Sequence, residues 1–230
     1  MATETLILRP NSTIETGGTL VVYPSGSDVT KIHLLVNEEV YDVMATQVNF
    51  STIGSYATLG FDFPGIPDGA VIKSLSYTFV GYSSAANYTP YMLLTLYTGD
   101  ANGNLTNVDE VKYDFTHLKE GINSEPVSLT VESNVNLDTL REFGGNTLAL
   151  RIENAFELVA NPSGKKTCNM YFTQVYMSIA YEMGDAIYLK KSGIWTPITG
   201  AIYRKENGTW VERDSSVLNE GPFSLVELTE

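Results

Sequence analysis

Hydrophobic and polar residues alternate with a period of two along most of the chain before residue 182. Since successive side chains of a strand point to opposite faces, this pattern is typical of antiparallel strands with one buried face. Long strands are predicted at residues 71–79, 92–96, 127–131, 148–152 and 171–181. Shorter ones are predicted at residues 19–23, 32–36, 47–50 and 57–63.

For the last long strand, the alternation predicts which side chains lie on each face. We expect one face to be buried and to consist of Tyr171, Val175, Met177, Ile179 and Tyr181. The opposite face carries Gln174 and Ser178. This strand is therefore predicted to close the hydrophobic core.

Segments rich in Gly, Pro, Asn and Asp separate these strands, notably residues 24–27, 64–69 and 99–104. One short helix is predicted at residues 137–143, ended by Gly144 and Gly145. Roughly ten strands with almost no helix predict an all-β fold of two packed antiparallel sheets. The predicted class is an antiparallel β-sandwich of jelly-roll type, followed by a short tandem β-hairpin module.

The hairpin module is predicted from a tandem repeat near the C-terminus. Residues 186–197 and 201–212 align with six identities in twelve positions, and both tryptophans, Trp195 and Trp210, occupy the same place in the repeat. Each copy reads as two short strands joined by a tight turn, at Ser192-Gly193 or Asn207-Gly208. Such dipeptides tolerate the positive φ that two-residue hairpin turns require.

A unit this short cannot bury its own aromatic side chains, so it must stack on the neighbouring hairpin, on the body of the protein or on another chain. We therefore take Tyr188, Trp195, Tyr203 and Trp210 as candidate partner-docking residues. The predicted domains are residues 1–182, a jelly-roll-like sandwich, and residues 183–230, an assembly appendage.

The composition of the chain limits the partners and the cellular compartment that we expect for it. The formal net charge of −13 opposes binding to a phosphate backbone, so no nucleic-acid partner is expected. The chain lacks a long apolar run and a basic-then-apolar start, so we expect no membrane span and no secretory signal. A single cysteine, Cys168, precludes an internal disulfide, and we expect it to be a small buried or half-buried side chain at the start of a strand.

Four segments resemble the jelly-roll-like module of virion proteins of tailed bacteriophages. They are residues 6–12 (LILRPNS), 35–42 (LVNEEVYD), 66–76 (IPDGAVIKSLS) and 175–182 (VYMSIAYE). The Tyr-x-Lys-x-x-Gly-x-Trp hairpins also resemble those that follow such modules in phage structural proteins. The resemblance implies a virion component of the neck or collar, a head fibre or decoration, or the tail. It implies assembly in the host cytoplasm and supplies no active-site motif.

Sequence motifs for catalysis are absent. His33, on a predicted strand, and His117, in a predicted loop, lie in no metal-binding pattern, and no nucleophile elbow or phosphate-binding loop occurs. We therefore expect no enzymatic activity, no catalytic residue, no catalytic metal and no organic cofactor.

Two acidic segments leave alternatives open. Asp100, Asn102 and Asn104 resemble half of a calcium loop, but a hairpin loop of turn-forming residues explains them better. The loop at residues 38–42, with Glu38, Glu39 and Asp42, could bind a cation or supply a paired acid and base, although a solvated acidic loop is the simpler interpretation.

The last candidate functional residues are tyrosines. The chain has fourteen, and Tyr82, Tyr88 and Tyr91 are predicted in polar loops. Amphipathic rings there could stack on sugars, which gives the alternative function of a glycan-binding receptor or adhesion module. Burial in a core or a subunit interface also explains them. The main hypothesis remains a virion protein that self-associates as a homo-oligomer and docks on other virion proteins, with a host-surface glycan as an additional candidate partner.

Overall fold

The computed structural model describes residues 3–23, 28–36, 47–67, 70–84, 88–99, 104–122, 124–141, 147–158, 168–183, 188–191, 194–197, 202–206 and 209–213. The strands in this part of the chain are β1 (Thr3–Leu8), β2 (Ser12–Gly17), β3 (Leu20–Tyr23), β4 (Gln47–Phe50), β5 (Tyr56–Asp62), β6 (Ala70–Ser83), β7 (Tyr88–Thr89), β8 (Tyr91–Gly99), β9 (Leu105–Asp114), β10 (Val127–Glu132), β11 (Thr147–Asn154), β12 (Glu157–Leu158), β13 (Met170–Met183), β14 (Tyr188–Lys191), β15 (Ile194–Pro197), β16 (Ile202–Glu206) and β17 (Thr209–Arg213). The helices are α1 (Ile32–Leu35) and α2 (Leu137–Arg141), with 3₁₀ turns at Val29–Lys31 and Thr116–Glu120.

Two sheets form the sandwich. One has six strands in the order β10-β6-β13-β4-β3, with β1 also paired to β13, and the other has five in the order β2-β5-β11-β8-β9. Strand pairs in both sheets are antiparallel, for example β10 with β6 and β13 with β4 in the first, and β11 with β5 and with β8 in the second. The predicted antiparallel β-sandwich of jelly-roll type is therefore confirmed.

A single hydrophobic cluster lies between the sheets and contains side chains from both. The inward residues of the six-stranded sheet include Val48, Phe50, Leu75, Tyr77, Phe79 and Phe172, all at most 2% exposed. Those of the five-stranded sheet include Leu59, Phe61, Met92, Leu94, Leu148 and Leu150, also at most 2% exposed. Burying one such side chain stabilises the fold by about 1.5–3 kcal/mol, so these alternating rows hold the sheets together.

Asn154, at the end of β11, joins the two sheets by hydrogen bonds. Its side chain is fully buried, and its Nδ2 donates to the carbonyl oxygens of Phe50 in β4 (2.7 Å) and Cys168 (3.0 Å). Its Oδ1 accepts from the backbone N–H of Phe156 at 3.2 Å. One amide thus satisfies buried backbone groups in β4, in the residue pair before β13 and in its own segment.

The chain divides into two compact units. One comprises Thr5–Ile66 and Ile72–Tyr181, and the other comprises Met1–Glu4, Pro67–Val71 and Glu182–Glu230. The second unit contains the two predicted hairpins, β14–β15 and β16–β17, each a separate two-stranded sheet. The predicted boundary between residues 182 and 183 stays a prediction.

The hairpins repeat one register. Lys190 pairs with Trp195 in the first, and Lys205 pairs with Trp210 in the second. The last strand pairs, Lys191 with Ile194 and Glu206 with Thr209, leave two residues for each loop, as the Ser-Gly and Asn-Gly dipeptides predict. The loop residues lie outside the described part of the chain.

The strand predicted at residues 32–36 is wrong. Ile32–Leu35 forms α1, and the four-residue spacing places both Ile32 and Val36 in the core, at 1% and 2% exposure. Leu34 is 55% exposed, although strand alternation would bury it together with its neighbours two residues away. The carbonyl of Val36 accepts a hydrogen bond from the N–H of Val175 in β13 at 2.9 Å.

The face predicted for Tyr171 is also wrong. Met170 and Phe172 are fully buried, so Tyr171 between them points out of the sandwich and is half-buried. Val175, Met177 and Ile179 are buried as predicted, so the alternation shifts by one residue between Phe172 and Val175. Such a shift is the effect of a β-bulge, and the N–H of Val175 bonds Val36 there.

The predicted short helix is confirmed as α2, Leu137–Arg141, and residues 142–146 lie outside the described part of the chain.

Cys168 is a free, fully buried thiol just before β13, as expected. Burial raises the pKa of the Cys168 thiol to about 11.

Candidate functional site

The outward side of the five-stranded sheet carries a group of charged and aromatic side chains that contact one another. We call this surface the Arg151 face and define it by Glu15, Tyr56, Tyr91, Thr95, Glu110, Lys112, Arg151 and Glu153. Their inward neighbours in the strands, such as Ala57, Leu94, Leu150 and Ile152, are buried in the core. Alternation therefore places the defining residues on the outer side.

Strand register brings these residues together from distant parts of the sequence. Arg151 in β11 lies opposite Thr58 in β5 and opposite Thr95 in β8. Glu153, two residues on, lies opposite Tyr56. Side chains that are opposite or diagonal on one face of a sheet are in contact distance, so β5, β11 and β8 together position the face.

Tyr56 and Arg151 form the centre of the Arg151 face. The guanidinium carbon of Arg151 lies 3.5 Å from the centroid of the Tyr56 ring, a cation–π contact. Nε and Nη2 of Arg151 donate to the same carboxylate oxygen of Glu153 at 3.2 and 3.0 Å. The Tyr56 hydroxyl donates to Glu15 at 2.7 Å, which raises the pKa of Tyr56 above its usual value. Each polar group is therefore held in place by another.

A second aromatic and cation pair lies toward the β9 edge of the same face. The ammonium of Lys112 is 4.4 Å from the centroid of the Tyr91 ring, and it forms an ion pair with Glu157. Between the two pairs, Thr95 donates a hydroxyl hydrogen bond to Glu110 at 3.3 Å. The face thus alternates aromatic rings with hydrogen-bonding groups.

The charges on this face do not favour an anionic ligand. Its two cations, Arg151 and Lys112, each contact a carboxylate and an aromatic ring. The carboxylates of Glu15, Glu110 and Glu153 are acceptors for hydroxyl and N–H donors. Chemically, the arrangement can hydrogen-bond a neutral polyhydroxylated molecule and stack against its C–H groups.

The three tyrosines predicted as a platform are not brought together. Tyr91 lies on the Arg151 face, in β8 rather than in a loop. Tyr82 lies in β6 of the other sheet, where it stacks on Tyr171. Tyr88 is only 6% exposed and packs edge-on against Phe156, so it belongs to the core.

The two histidines lie in different parts of the structure and have different neighbours. His33 lies in α1 rather than in a strand, and its Nδ1 is 2.9 Å from the hydroxyl of Thr13. Partial burial, with Lys31 nearby, lowers the pKa of His33 below its usual value. His117 lies in the Thr116–Glu120 3₁₀ turn, with Nδ1 3.2 Å from Glu120. Among described residues, no group of three His, Cys, Asp or Glu side chains could hold a metal ion.

Several sequence candidates lie outside the described residues. These are Glu38, Glu39, Asp42, Asp100 and Asn102. Next to the last segment, Gly99 at the end of β8 pairs with Leu105 at the start of β9. For Tyr188, Trp195, Tyr203 and Trp210 the strand positions are described and the side chains are not.

Sequence reasoning missed the centre of the Arg151 face. Tyr56 lies one residue before the strand predicted at residues 57–63, and the alternation in residues 148–152 gives Arg151 only a place on the polar side of its strand. The usable signal was the Arg and Glu at alternate positions of a strand whose other face is apolar. Their convergence on Tyr56 depends on register between strands almost 100 residues apart, which the pattern does not encode.

No protein-family model matches the chain, and no curated protein matches it. Among solved structures, it is similar to CBM28, a carbohydrate-binding module specific for non-crystalline cellulose (10% identity, 62% of this chain, 78% of that chain, TM-score 0.36). It is similar to the xylan-binding module CBM15 (9% identity, 79% and 99%, TM-score 0.35). It is also similar to the CBM36-1 domain of a xylanase from the hindgut metagenome of Trinervitermes trinervoides (11% identity, 76% and 96%, TM-score 0.34). What each of these proteins binds is a property of that protein.

No helix in the described part of the chain is both long enough and apolar enough to cross a membrane.

Proposed function

We propose that the sandwich is a non-enzymatic glycan-binding module and that the Arg151 face binds the glycan. The observation that carries this proposal is the Tyr56–Arg151–Glu153 group, in which an aromatic ring and a hydrogen-bonding pair are fixed on neighbouring strands. Aromatic rings stack on the C–H faces of sugars, and carboxylates and guanidinium groups bond sugar hydroxyls. Sites on strands hold such groups more precisely than loops do.

The ligand class follows from the charge of the face. A uronate or sulfated sugar would need a cation that is not already neutralised, whereas Arg151 and Lys112 are each paired with a carboxylate. The protein as a whole carries a net charge of −13, which repels polyanions at long range. The proposed ligand is therefore a neutral glycan.

Isothermal titration with neutral oligosaccharides tests this proposal. Tyr56→Ala and Arg151→Ala should each weaken binding about tenfold, because buried aromatic and Arg anchors commonly contribute 1.4 kcal/mol or more. Ser128→Ala is the matched control, since Ser128 is exposed on β10 of the other sheet. Affinity for neutral sugars that neither substitution at the Arg151 face reduces would contradict the proposal, as would tighter binding of uronate-containing sugars.

A second candidate function rests on the hairpin repeats. We propose, as this alternative, a structural component of a tailed-phage virion that assembles in the host cytoplasm and docks through the hairpins. Its support is the equivalent register of the two hairpins, which places Trp195 and Trp210 at the same pairing position. It rests also on the resemblance of the sequence to phage structural proteins.

Sedimentation velocity of the full chain and of Trp195→Ala and Trp210→Ala variants tests the second candidate. A hairpin-mediated homo-oligomer should dissociate in the variants while far-ultraviolet circular dichroism stays unchanged. Each substitution should cost roughly 2 kcal/mol of association if the tryptophan is central to an interface. A monomeric parent chain that also fails to join phage particles would exclude this role.

A further inference from the structure

The outward side of the six-stranded sheet carries an arrangement that the Arg151 face does not explain. Tyr82 in β6 and Tyr171 in β13 stack with ring centroids 4.5 Å apart and an angle of 9° between ring planes. Both side chains are half-buried. Tyr171 reaches this face only because the alternation in β13 shifts by one residue, which turns it away from the core.

The backbone at this point is built for close approach of the two strands. A Cβ on Gly81 would overlap the carbonyl oxygen of Tyr171, so only glycine fits beside it. Thr173 in the shifted segment donates its hydroxyl to the carbonyl of Val80 at 3.1 Å. Bulges are found next to functional sites because they redirect a side chain, and here the redirected side chain completes the tyrosine pair.

Asn49 in β4 lies directly opposite Tyr171, on the same outward side. It is 4% exposed, and its Nδ2 donates to Oδ1 of Asn169 at 3.1 Å. Its Oδ1 is buried and has no hydrogen-bond partner in the described part of the chain. An unpaired buried acceptor is unfavourable, so a hydrogen-bond donor on a bound ligand would be favourable at this oxygen.

We propose that Tyr82, Tyr171 and Asn49 form a second carbohydrate subsite, on the sheet opposite the Arg151 face, that binds one neutral pyranose ring. The C–H face of the sugar packs against the tyrosine pair, and one sugar hydroxyl donates to Oδ1 of Asn49. Because this oxygen has almost no accessible surface, binding includes a small movement of Tyr171. Val21, the other cross-strand neighbour of Asn49, is 38% exposed and leaves that side of the site open to solvent.

The site gives the protein two sugar-binding surfaces on opposite sheets. One chain could then bridge two strands of a polysaccharide, and the gain in avidity would depend on their spacing. The inference goes beyond the proposed function, since it concerns different residues on a different sheet. The two ideas can accordingly fail independently.

The test is calorimetric titration of the full chain carrying Tyr56→Ala, which removes the first proposed surface. The probes are neutral hexasaccharides of glucose, xylose, mannose and galactose. We expect at least one to bind this variant, and adding Tyr171→Ala should weaken that binding about tenfold. Tyr171→Phe keeps the ring stack and should retain the affinity. Asn49→Leu should weaken binding several-fold.

Two results would overturn the subsite: no binding to the Tyr56→Ala variant at about 5 mM probe, or equal affinities with and without Tyr171. Loss of binding on Tyr56→Ala alone supports the Arg151 face and rejects the subsite. Binding that responds to Tyr171 and not to Tyr56 rejects the Arg151 face and supports the subsite.

Discussion

Asn154→Ala tests whether one buried amide holds the two sheets together. The substitution removes hydrogen bonds to the carbonyls of Phe50 and Cys168, at 2.7 and 3.0 Å, and one from the N–H of Phe156 at 3.2 Å. The substitution leaves three buried backbone groups without a partner, and each costs about 1 kcal/mol or slightly more, the loss of its hydrogen bond included. The free energy of unfolding should therefore fall by about 3–4 kcal/mol.

That loss is a large fraction of the 5–15 kcal/mol typical of a folded domain. For a chain of this size it corresponds to a drop in melting temperature of about 10 °C. Urea unfolding followed by circular dichroism measures the free energy, and differential scanning calorimetry measures the melting temperature. Asn107→Ala is the matched control, because Asn107 is exposed on the edge strand β9 and should cost less than about 0.5 kcal/mol.

Asn154→Asp separates hydrogen bonding from packing. The side chain keeps its size and can still accept from Phe156, but a carboxylate cannot donate to the two carbonyls. It should destabilise the protein at neutral pH at least as much as alanine does. If Asn154→Ala costs less than about 1 kcal/mol, the assignment of this amide as a tie between the sheets is wrong.

Three further predictions concern the sandwich. Gly81→Ala should destabilise the fold and disturb the tyrosine stack, because its Cβ would overlap the carbonyl of Tyr171; tyrosine ring resonances in NMR spectra report the change, and unaltered spectra would contradict it. The Cys168 thiol, fully buried and with its pKa raised to about 11, should not react with a disulfide reagent at pH 8 until the protein is unfolded. The His33 imidazole should titrate with a midpoint below 6.5 by NMR, since burial disfavours its charged form. Its contribution to stability should be present above pH 6.5 and be lost as the pH falls through the lowered pKa, and a midpoint above 6.5 would refute this.

The strands with strict alternation could be predicted from the sequence because each has one apolar face toward a single core. Residues 127–131 and 148–152 are examples, and their strands extend only one or two residues beyond the prediction. Residues 32–36 could not be assigned in this way. Their apolar positions at 32, 34 and 36 fit a strand, whereas Ile32 and Val36 alone fit one helical turn, and the contact with β13 selects the helix.

The candidate sites were less predictable than the strands. Counting every second residue back from Val175 places Tyr171 on the apolar face of β13. The one-residue shift that turns Tyr171 outward depends on hydrogen bonds to Val36 and Val80 in other segments. Tyr56 and Arg151 become neighbours only through the register of β5 with β11. Both features arise from pairing between distant segments, whereas periodicity reports only local preference.

The two C-terminal hairpins each complete their backbone pairing within a short stretch, since β14 pairs with β15 and β16 with β17 in separate sheets. A 15-residue unit of this kind can be duplicated or deleted without changing the register of any other strand. Mutation can therefore change the number of hairpins one at a time. The length of this end of the chain can therefore change in evolution while the strand pairing of the sandwich stays the same.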